Sequence, residues 1–517
     1  MRARRWVAVI WLCFLARGFF YCAALPIWEG YDEWAHFAVV ERMAFHGEAL
    51  VSRASPAPRD VAASLQLAPV AWECRYLLPP SVTQDDFWRL PEAERARREA
   101  EFHAIPGAWA REDSSGPLKA YEGLQGPLAG WLMTPVLWAA SGAQLATQVL
   151  LLRWFGIAVV SLAVPLGFLI GRRIFGEDAP ALGCAAIIAA MPGFAINIAR
   201  VSNESVAVML FTALIWLALE EAQRPRPVLL GAVLGLGLLA KAYFLTAIPP
   251  LGLWLAWKCR RPRTLLAPVV AGAIAGWWYV RNLVTTGTVS GMWESAAMPG
   301  AGLGAQLRHA AGVPWVATVD SIMVSHLWQG AWSTLTLRSW MYHLLYVLIA
   351  AALVGLLWRR PQGGILLVAF YVTFWLGQLF HANLLSMVWG IATSLGCYLY
   401  AVVGAEVPLC VAGLRALAPG AARRYVAAVG VALLALLDLY SLNMVAIPYY
   451  TGFIAHRANG PVAAFHPTWA SLSEILPRLA MFKAPMLTQP VLAALWIFYV
   501  GATIALAIIA ARRETSR

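Results

Sequence analysis

The sequence predicts an all-α fold: a polytopic transmembrane helical bundle with a large extracytoplasmic first loop. Of the 517 residues, 60% are hydrophobic and only 13% charged, with a mean hydropathy of +0.65. A soluble fold of this length could not hide that much apolar surface from water, so lipid must cover part of it. The apolar residues also fall into runs of about 20, the length that crosses the hydrocarbon core of a bilayer. The 25 Trp and 16 Tyr suit the aromatic belts found at membrane–water boundaries.

The N-terminus reads Arg2, Arg4, Arg5 and then an apolar stretch from Trp6 to Leu25. That stretch is long for a signal peptide and no A-x-A cleavage site follows, so it predicts an uncleaved first span with a cytoplasmic N-terminus. Further apolar segments follow at 124–141, 147–170, 183–200, 205–222, 228–241, 242–257, 264–284, 340–358, 364–382, 395–414, 425–446 and 489–510. Segments 228–241 and 242–257 are short and adjacent, as in a tight helical hairpin.

Charge sets the expected orientation. Clusters at Arg224/Arg226, Lys258–Arg263, Arg359/Arg360, Arg415–Arg424 and Arg512–Arg517 belong on the cytoplasmic side. Counting spans from 205 onward satisfies all five and leaves loops 26–123, 285–339 and 447–488 outside. Arg172/Arg173 should lie inside, so an odd number of crossings separates them from loop 26–123. One of 124–141 and 147–170 therefore should not span fully, which makes about 12 crossings in a single membrane domain. The net charge of +12 resides in these clusters. It points to topology and anionic headgroups rather than to nucleic acid.

Of the seven cysteines only Cys74 falls in the first loop. Cys13, Cys22, Cys184, Cys397 and Cys410 lie in apolar segments and Cys259 sits beside a basic cluster, so no disulfide framework emerges. The absence of an internal repeat weighs against inverted-repeat transporters. Within the first loop, Asp32 to His46 reads as a helix with Asp32 as N-cap and Gly47 as stop. Residues 85–104 mix charges with Phe87, Trp88, Leu90 and Phe102, the pattern of an interfacial helix.

Five places could carry chemistry. Tyr31-Asp32-Glu33-Trp34-Ala35-His36 sets two carboxylates just past span one, with Asp32 and His36 four residues apart on one helical face. Such an acid could deprotonate an attacking hydroxyl, or hold a cation near a phosphate; a solvated N-cap is the structural alternative. Tyr121-Glu122-Gly123-Leu124-Gln125-Gly126-Pro127-Leu128 marks re-entry into the membrane and reads alone as helix-start punctuation. Ser202-Asn203-Glu204 is an acidic break between apolar segments, equally consistent with a simple turn. Lys241 interrupts an apolar run, where a charge is expensive and marks function by default; snorkelling is the bland alternative. Trp277-Trp278-Tyr279-Val280-Arg281-Asn282 closes a span with an outer arginine, able to clamp a phosphate or anchor the interface. His309, His326, His343 and His381 lack metal-ligand spacing and read as structural or interfacial.

The order of these motifs resembles the GT-C superfamily of polyprenyl-phosphate-dependent glycosyltransferases, including protein O-mannosyltransferase-like and aminoarabinose-transferase-like enzymes. The resemblance covers roughly residues 6–290 by motif and the remainder by layout. It implies Asp32 at the catalytic centre with Glu33 beside it, and Lys241 and Arg281 toward the donor phosphate. His36, Glu122, Gln125, Asn203, Glu204 and Tyr398 would then line the substrate pocket. One departure stands out: related sequences often read Gly-Arg-Tyr-Leu at the start of a late span, where this chain has Gly396-Cys397-Tyr398-Leu399.

The expected function is thus an inverting sugar transferase at the outer face of a bacterial inner membrane. It would move a sugar from a polyprenyl-monophosphate donor to the hydroxyl of a glycan, lipid or protein acceptor. The alternatives are a multi-spanning lipid or polysaccharide transporter or flippase, or a non-catalytic envelope assembly partner. No cofactor is certain from the sequence. A divalent cation near Glu33 and His36 is possible from their chemistry, but two ligands fall short of a site.

Overall fold

A computed structural model describes residues 2–79, 81–259, 262–298, 302–359, 361, 363–457 and 460–515. Arg260, Arg261, Arg360 and Arg517, read as parts of basic clusters, lie outside these residues. The chain is a polytopic, all-α membrane protein. Its described residues form helices joined by short 3-10 and π segments, with isolated β-bridges but no strand. Seven helices are long and apolar enough to cross a membrane, or eight if one bent pair counts as a span.

The first helix, Arg2–Ala24, matches the expected first span. The two segments in conflict differ in kind. Leu128–Ala139 has 12 residues and contains Pro135; at about 1.5 Å per residue it rises about 18 Å, well short of a bilayer core. Leu145–Phe175, in contrast, runs for 31 residues.

The expected span at 183–200 is broken. Asp178–Ala190 and Pro192–Ile198 meet at an angle of 52°. Pro192 explains the bend, because it has no N–H to continue the ladder and suits a first helical position. The carbonyls freed at the bend are met by Arg17 from the first helix, which donates to the Ala189 and Ala190 oxygens. Arg17 pairs in turn with Asp438, 2.9 Å away, and Tyr21 donates to the same carboxylate at 2.6 Å. A charge buried among apolar helices is tolerated only with such a partner, so this network ties the first helix, the bend and the helix Val426–Tyr440 together. The bend ends in an irregular stretch at 199–203, before Glu204–Glu221 begins.

Segments 228–241 and 242–257 are parted as expected, the first forming Pro227–Ala240 and the second a 3-10 turn, Ala242–Ala247, followed by Ile248–Trp254. Lys241 sits at the break between them. Leu266–Thr286 packs along Pro227–Ala240. Late spans Ser339–Trp358, Gly364–Trp389 and Val403–Leu417 follow, and Gln489–Thr515 returns to pack on the first helix.

The long loops gather over one end of the bundle. Glu33–Phe45 is the expected loop helix, with Gly47 at φ 71 as its stop. Residues 85–104 divide into Gln84–Phe87 and Glu92–His103, parted by Pro91 at the N-cap of the second helix. Phe87 and Phe102 pack on Phe482 from loop 447–488. Asp85 joins the same loops, accepting from the His456 ring at 2.7 Å and the Tyr449 hydroxyl at 2.9 Å.

Candidate functional site

The first helix ends in a cluster of carbonyls that need donors. Arg153 donates to Cys22 at 3.0 Å, Leu25 at 2.9 Å and Pro26 at 2.7 Å. Lys483 donates to Ala24 at 3.0 Å and Leu25 at 2.6 Å. The Arg153 cation also suits the negative end of the helix dipole. Glu33 completes the arrangement. Its side chain is fully buried, takes two hydrogen bonds from Arg153 at 2.6 and 2.7 Å, and accepts from the Val201 N–H at 2.9 Å. Glu33 thus joins the chain after span one, the helix Leu145–Val160 and the irregular stretch at 199–203.

Asp32 points elsewhere. Its φ of 55 is left-handed, and its side chain makes no helix-capping bond. The expected N-cap role fails for this reason: the left-handed turn swings the carboxylate away from the first amides of the helix. Asp tolerates this conformation better than most residues, yet it still costs energy, and such strain collects at functional sites. Tyr121 donates instead, its hydroxyl 2.5 Å from Asp32 Oδ1.

Tyr121 arrives from the re-entry motif, which is seated by two close backbone approaches. A Cβ on Gly126 would lie 2.1 Å from the Leu239 carbonyl oxygen, and one on Gly123 would lie 2.7 Å from that of Val51. Glycine is therefore required at both positions. Gly126 sets the motif against the end of Pro227–Ala240, next to Lys241.

Glu122 follows Tyr121, with Oε2 3.5 Å from His36 Nε2. Burial and then the negative charge of Asp32 push the Glu122 carboxyl up to about 8, against the opposing pull of Lys241 and Arg200. His36 is held well below the ordinary histidine range by burial and by the same two cations. At neutral pH the pair is thus a neutral acid beside a neutral imidazole.

On the facing side Lys241 pairs with Glu204, whose other oxygen accepts from Tyr243 at 3.1 Å. The Lys241 ammonium stands 4.5 Å from the centroid of the Tyr398 ring. Asn203 reaches the Ala240 carbonyl at 3.4 Å. A narrow cleft between the loop helix and the bundle is lined by His36, Glu122, Gln125, Ser202, Asn203 and Trp278. Arg281 lies outside that wall, its guanidinium 4.9 Å from the Trp278 ring. Among the described residues no group of three or more His, Cys, Asp or Glu is placed to hold a metal ion.

Most residues singled out in the sequence therefore meet: Asp32, His36, Glu122, Gln125, Asn203, Glu204, Lys241 and Tyr398 converge where the loops join the bundle. Glu33 and Arg281 stand apart, one engaged by Arg153 and the other across Trp278. Sequence reasoning passed over Arg153 and Arg200. Each is a lone arginine in or at the edge of an apolar run, the same signal that singled out Lys241. Arg200 also bears on the Cys397 departure, because its Nη2 comes within 4.0 Å of Cys397 Sγ. The Arg200 guanidinium thus lies beside Cys397.

The comparisons with known proteins bear on the same region. Residues 125–277 match the family described as dolichyl-phosphate-mannose-protein mannosyltransferase. The GT-C resemblance holds there. The matched segment includes Arg200, Asn203, Glu204 and Lys241 but not Asp32, Glu122, Arg281 or Tyr398. Two crystal structures of ArnT from Cupriavidus metallidurans align with the chain, one bound to undecaprenyl phosphate and one in the apo state. They share 14% and 13% identity with it, at TM-scores of 0.42 and 0.37, over 93% of this chain and 77% of theirs. No curated protein matches it.

Proposed function

We propose that the chain is an inverting glycosyltransferase that takes a sugar from a polyprenyl-monophosphate donor and delivers it to an acceptor hydroxyl. The observation that carries this reading is the meeting of Asp32, freed from capping and held by Tyr121, with the cationic wall of Lys241 and Arg200. The match of residues 125–277 to a family named for a lipid-phosphate sugar donor supports the choice of donor.

In this reading the donor enters from the bilayer with its phosphate toward Lys241, and Arg281 meets it at the rim. Asp32 accepts the proton of the acceptor hydroxyl as that oxygen attacks the anomeric carbon. The new carbon–oxygen bond forms on the face opposite the departing phosphate, so the configuration inverts. The electron pair of the broken bond leaves with the lipid phosphate, where fixed cations stabilise the added charge. Neutral Glu122 avoids a second anion beside Asp32. Glu33 serves by fixing the backbone that presents Asp32, and the transfer as written consumes no cofactor.

The site belongs on the extracytoplasmic face of a bacterial inner membrane, where nucleotide sugars are not expected. Native mass spectrometry of the purified protein with polyprenyl monophosphate and polyprenyl diphosphate tests the donor class. Selective monophosphate binding supports the proposal; equal binding of both lipids, or of neither, removes it.

A further inference from the structure

Four arginines are buried in the described structure, and three of them touch a carboxylate. Arg17 lies 2.9 Å from Asp438, Arg42 lies 2.6 Å from Asp113, and Arg153 lies 2.6 Å from Glu33. Arg200 is the exception. It is 3% exposed, yet no carboxylate comes within 4.0 Å of its guanidinium among the described residues. Nη1 donates to the Tyr31 carbonyl at 2.7 Å, and Nη2 has only the Cys397 sulfur at 4.0 Å. Nε is buried without any partner. A buried cation left this way is costly, whereas a bound anion would complete it.

The surroundings offer more unused donors. The Ser202 and Ser205 hydroxyls are also buried without partners. Ser202 lines the cleft beside His36 and Glu122. Arg200 and Ser202 immediately precede the 18-residue helix Glu204–Glu221. The first amides of a helix have no partners within it, and its dipole favours a negative charge there. The nearby cation at Lys241 is already paired with Glu204, whereas Arg200 has the Tyr31 ring 5.2 Å away and no carboxylate in contact among the described residues.

We propose that Arg200, with Ser202 and the start of the helix Glu204–Glu221, forms the anchoring cradle for a phosphate group. Building on the function proposed above, the ligand is the phosphate of the lipid-linked donor, and Lys241 is a secondary contact. The guanidinium fork can hold two phosphate oxygens at once, which an ammonium cannot. The phosphate gains negative charge as the sugar leaves, so the released lipid phosphate should bind more tightly than the donor.

The test compares wild type, Arg200→Gln and Arg200→Lys in detergent, with undecaprenyl phosphate, inorganic phosphate and undecaprenol as separate ligands. Binding is read by native mass spectrometry and by the shift in unfolding temperature. Arg200→Gln should lose at least about tenfold in undecaprenyl phosphate affinity, bind undecaprenol unchanged, and unfold without ligand at the wild-type temperature or above. That last result separates a ligand cation from a structural one, whose removal would lower the temperature. Arg200→Lys keeps the charge, should fold in any case, and should bind undecaprenyl phosphate more weakly than wild type. Wild-type affinity in both variants overturns the cradle while leaving the donor reading intact. Binding of inorganic phosphate alone, lost in Arg200→Gln, upholds the cradle and removes the lipid donor. Binding of no phosphate by wild type overturns both.

Discussion

The Tyr121 hydroxyl donates to Asp32 from 89 residues further along the chain, and no other donor reaches that carboxylate among the described residues. This bond couples the turn after span one to the motif that re-enters the membrane. It leaves Asp32 oriented rather than locked into a helix cap.

Tyr121→Phe removes that donor while keeping the ring against Trp34. A hydrogen bond to a charged group contributes about 1.5–3 kcal/mol, so kcat/KM should fall about 10- to 100-fold. Unfolding temperature should stay close to wild type. Steady-state transfer beside a thermal melt checks both halves.

Glu33 should behave in the opposite way. Glu33→Ala strands Arg153 as an unpaired buried charge, which costs about 3–5 kcal/mol. The expected outcome is a lower unfolding temperature and poor recovery of folded protein. Glu33→Gln, which keeps an acceptor for Arg153 and the Val201 N–H, should unfold at a higher temperature than Glu33→Ala. If Glu33→Ala melts like wild type and loses only turnover, Glu33 belongs to the chemistry instead.

The contrast between these neighbours marks how far the sequence could be read. Apolar runs and the stop at Gly47 follow from local chemistry, so the helices were largely legible. Of the residues the resemblance singled out, Asp32, Glu122, Glu204 and Lys241 lie near one another where the loops join the bundle. That Glu33 faces Arg153 while Asp32 faces Tyr121 depends on a left-handed residue and on partners about a hundred residues away. No periodicity encodes such a turn. The bend before Pro192 was equally hidden, because its carbonyls are met by Arg17 from the first helix.

Glu122 gives a pH prediction. Its raised value, about 8, comes first from burial and then from Asp32. The folded state therefore holds a proton that the unfolded chain releases near the ordinary value of about 4.5, so this group's contribution to stability falls as pH rises from there to about 8. Glu122→Gln should flatten that dependence and raise unfolding temperature most at pH 8 and above. Wild-type turnover should also decline above about pH 8 as a second anion forms beside Asp32, a limb absent from Glu122→Gln. Melts and pH–rate profiles of both proteins test this; an unchanged basic limb in Glu122→Gln contradicts it.

The most direct measurement is sugar transfer itself by wild type and Asp32→Asn. Purified protein in lipid bilayers would be given undecaprenyl-phosphate-linked hexoses and pentoses, with release of undecaprenyl phosphate followed by mass spectrometry and the product's anomeric configuration by NMR. The account predicts that wild type consumes a donor with inversion and that Asp32→Asn, folded and still binding lipid phosphate, is slower by about 100-fold or more. Turnover by Asp32→Asn at the wild-type rate would contradict it.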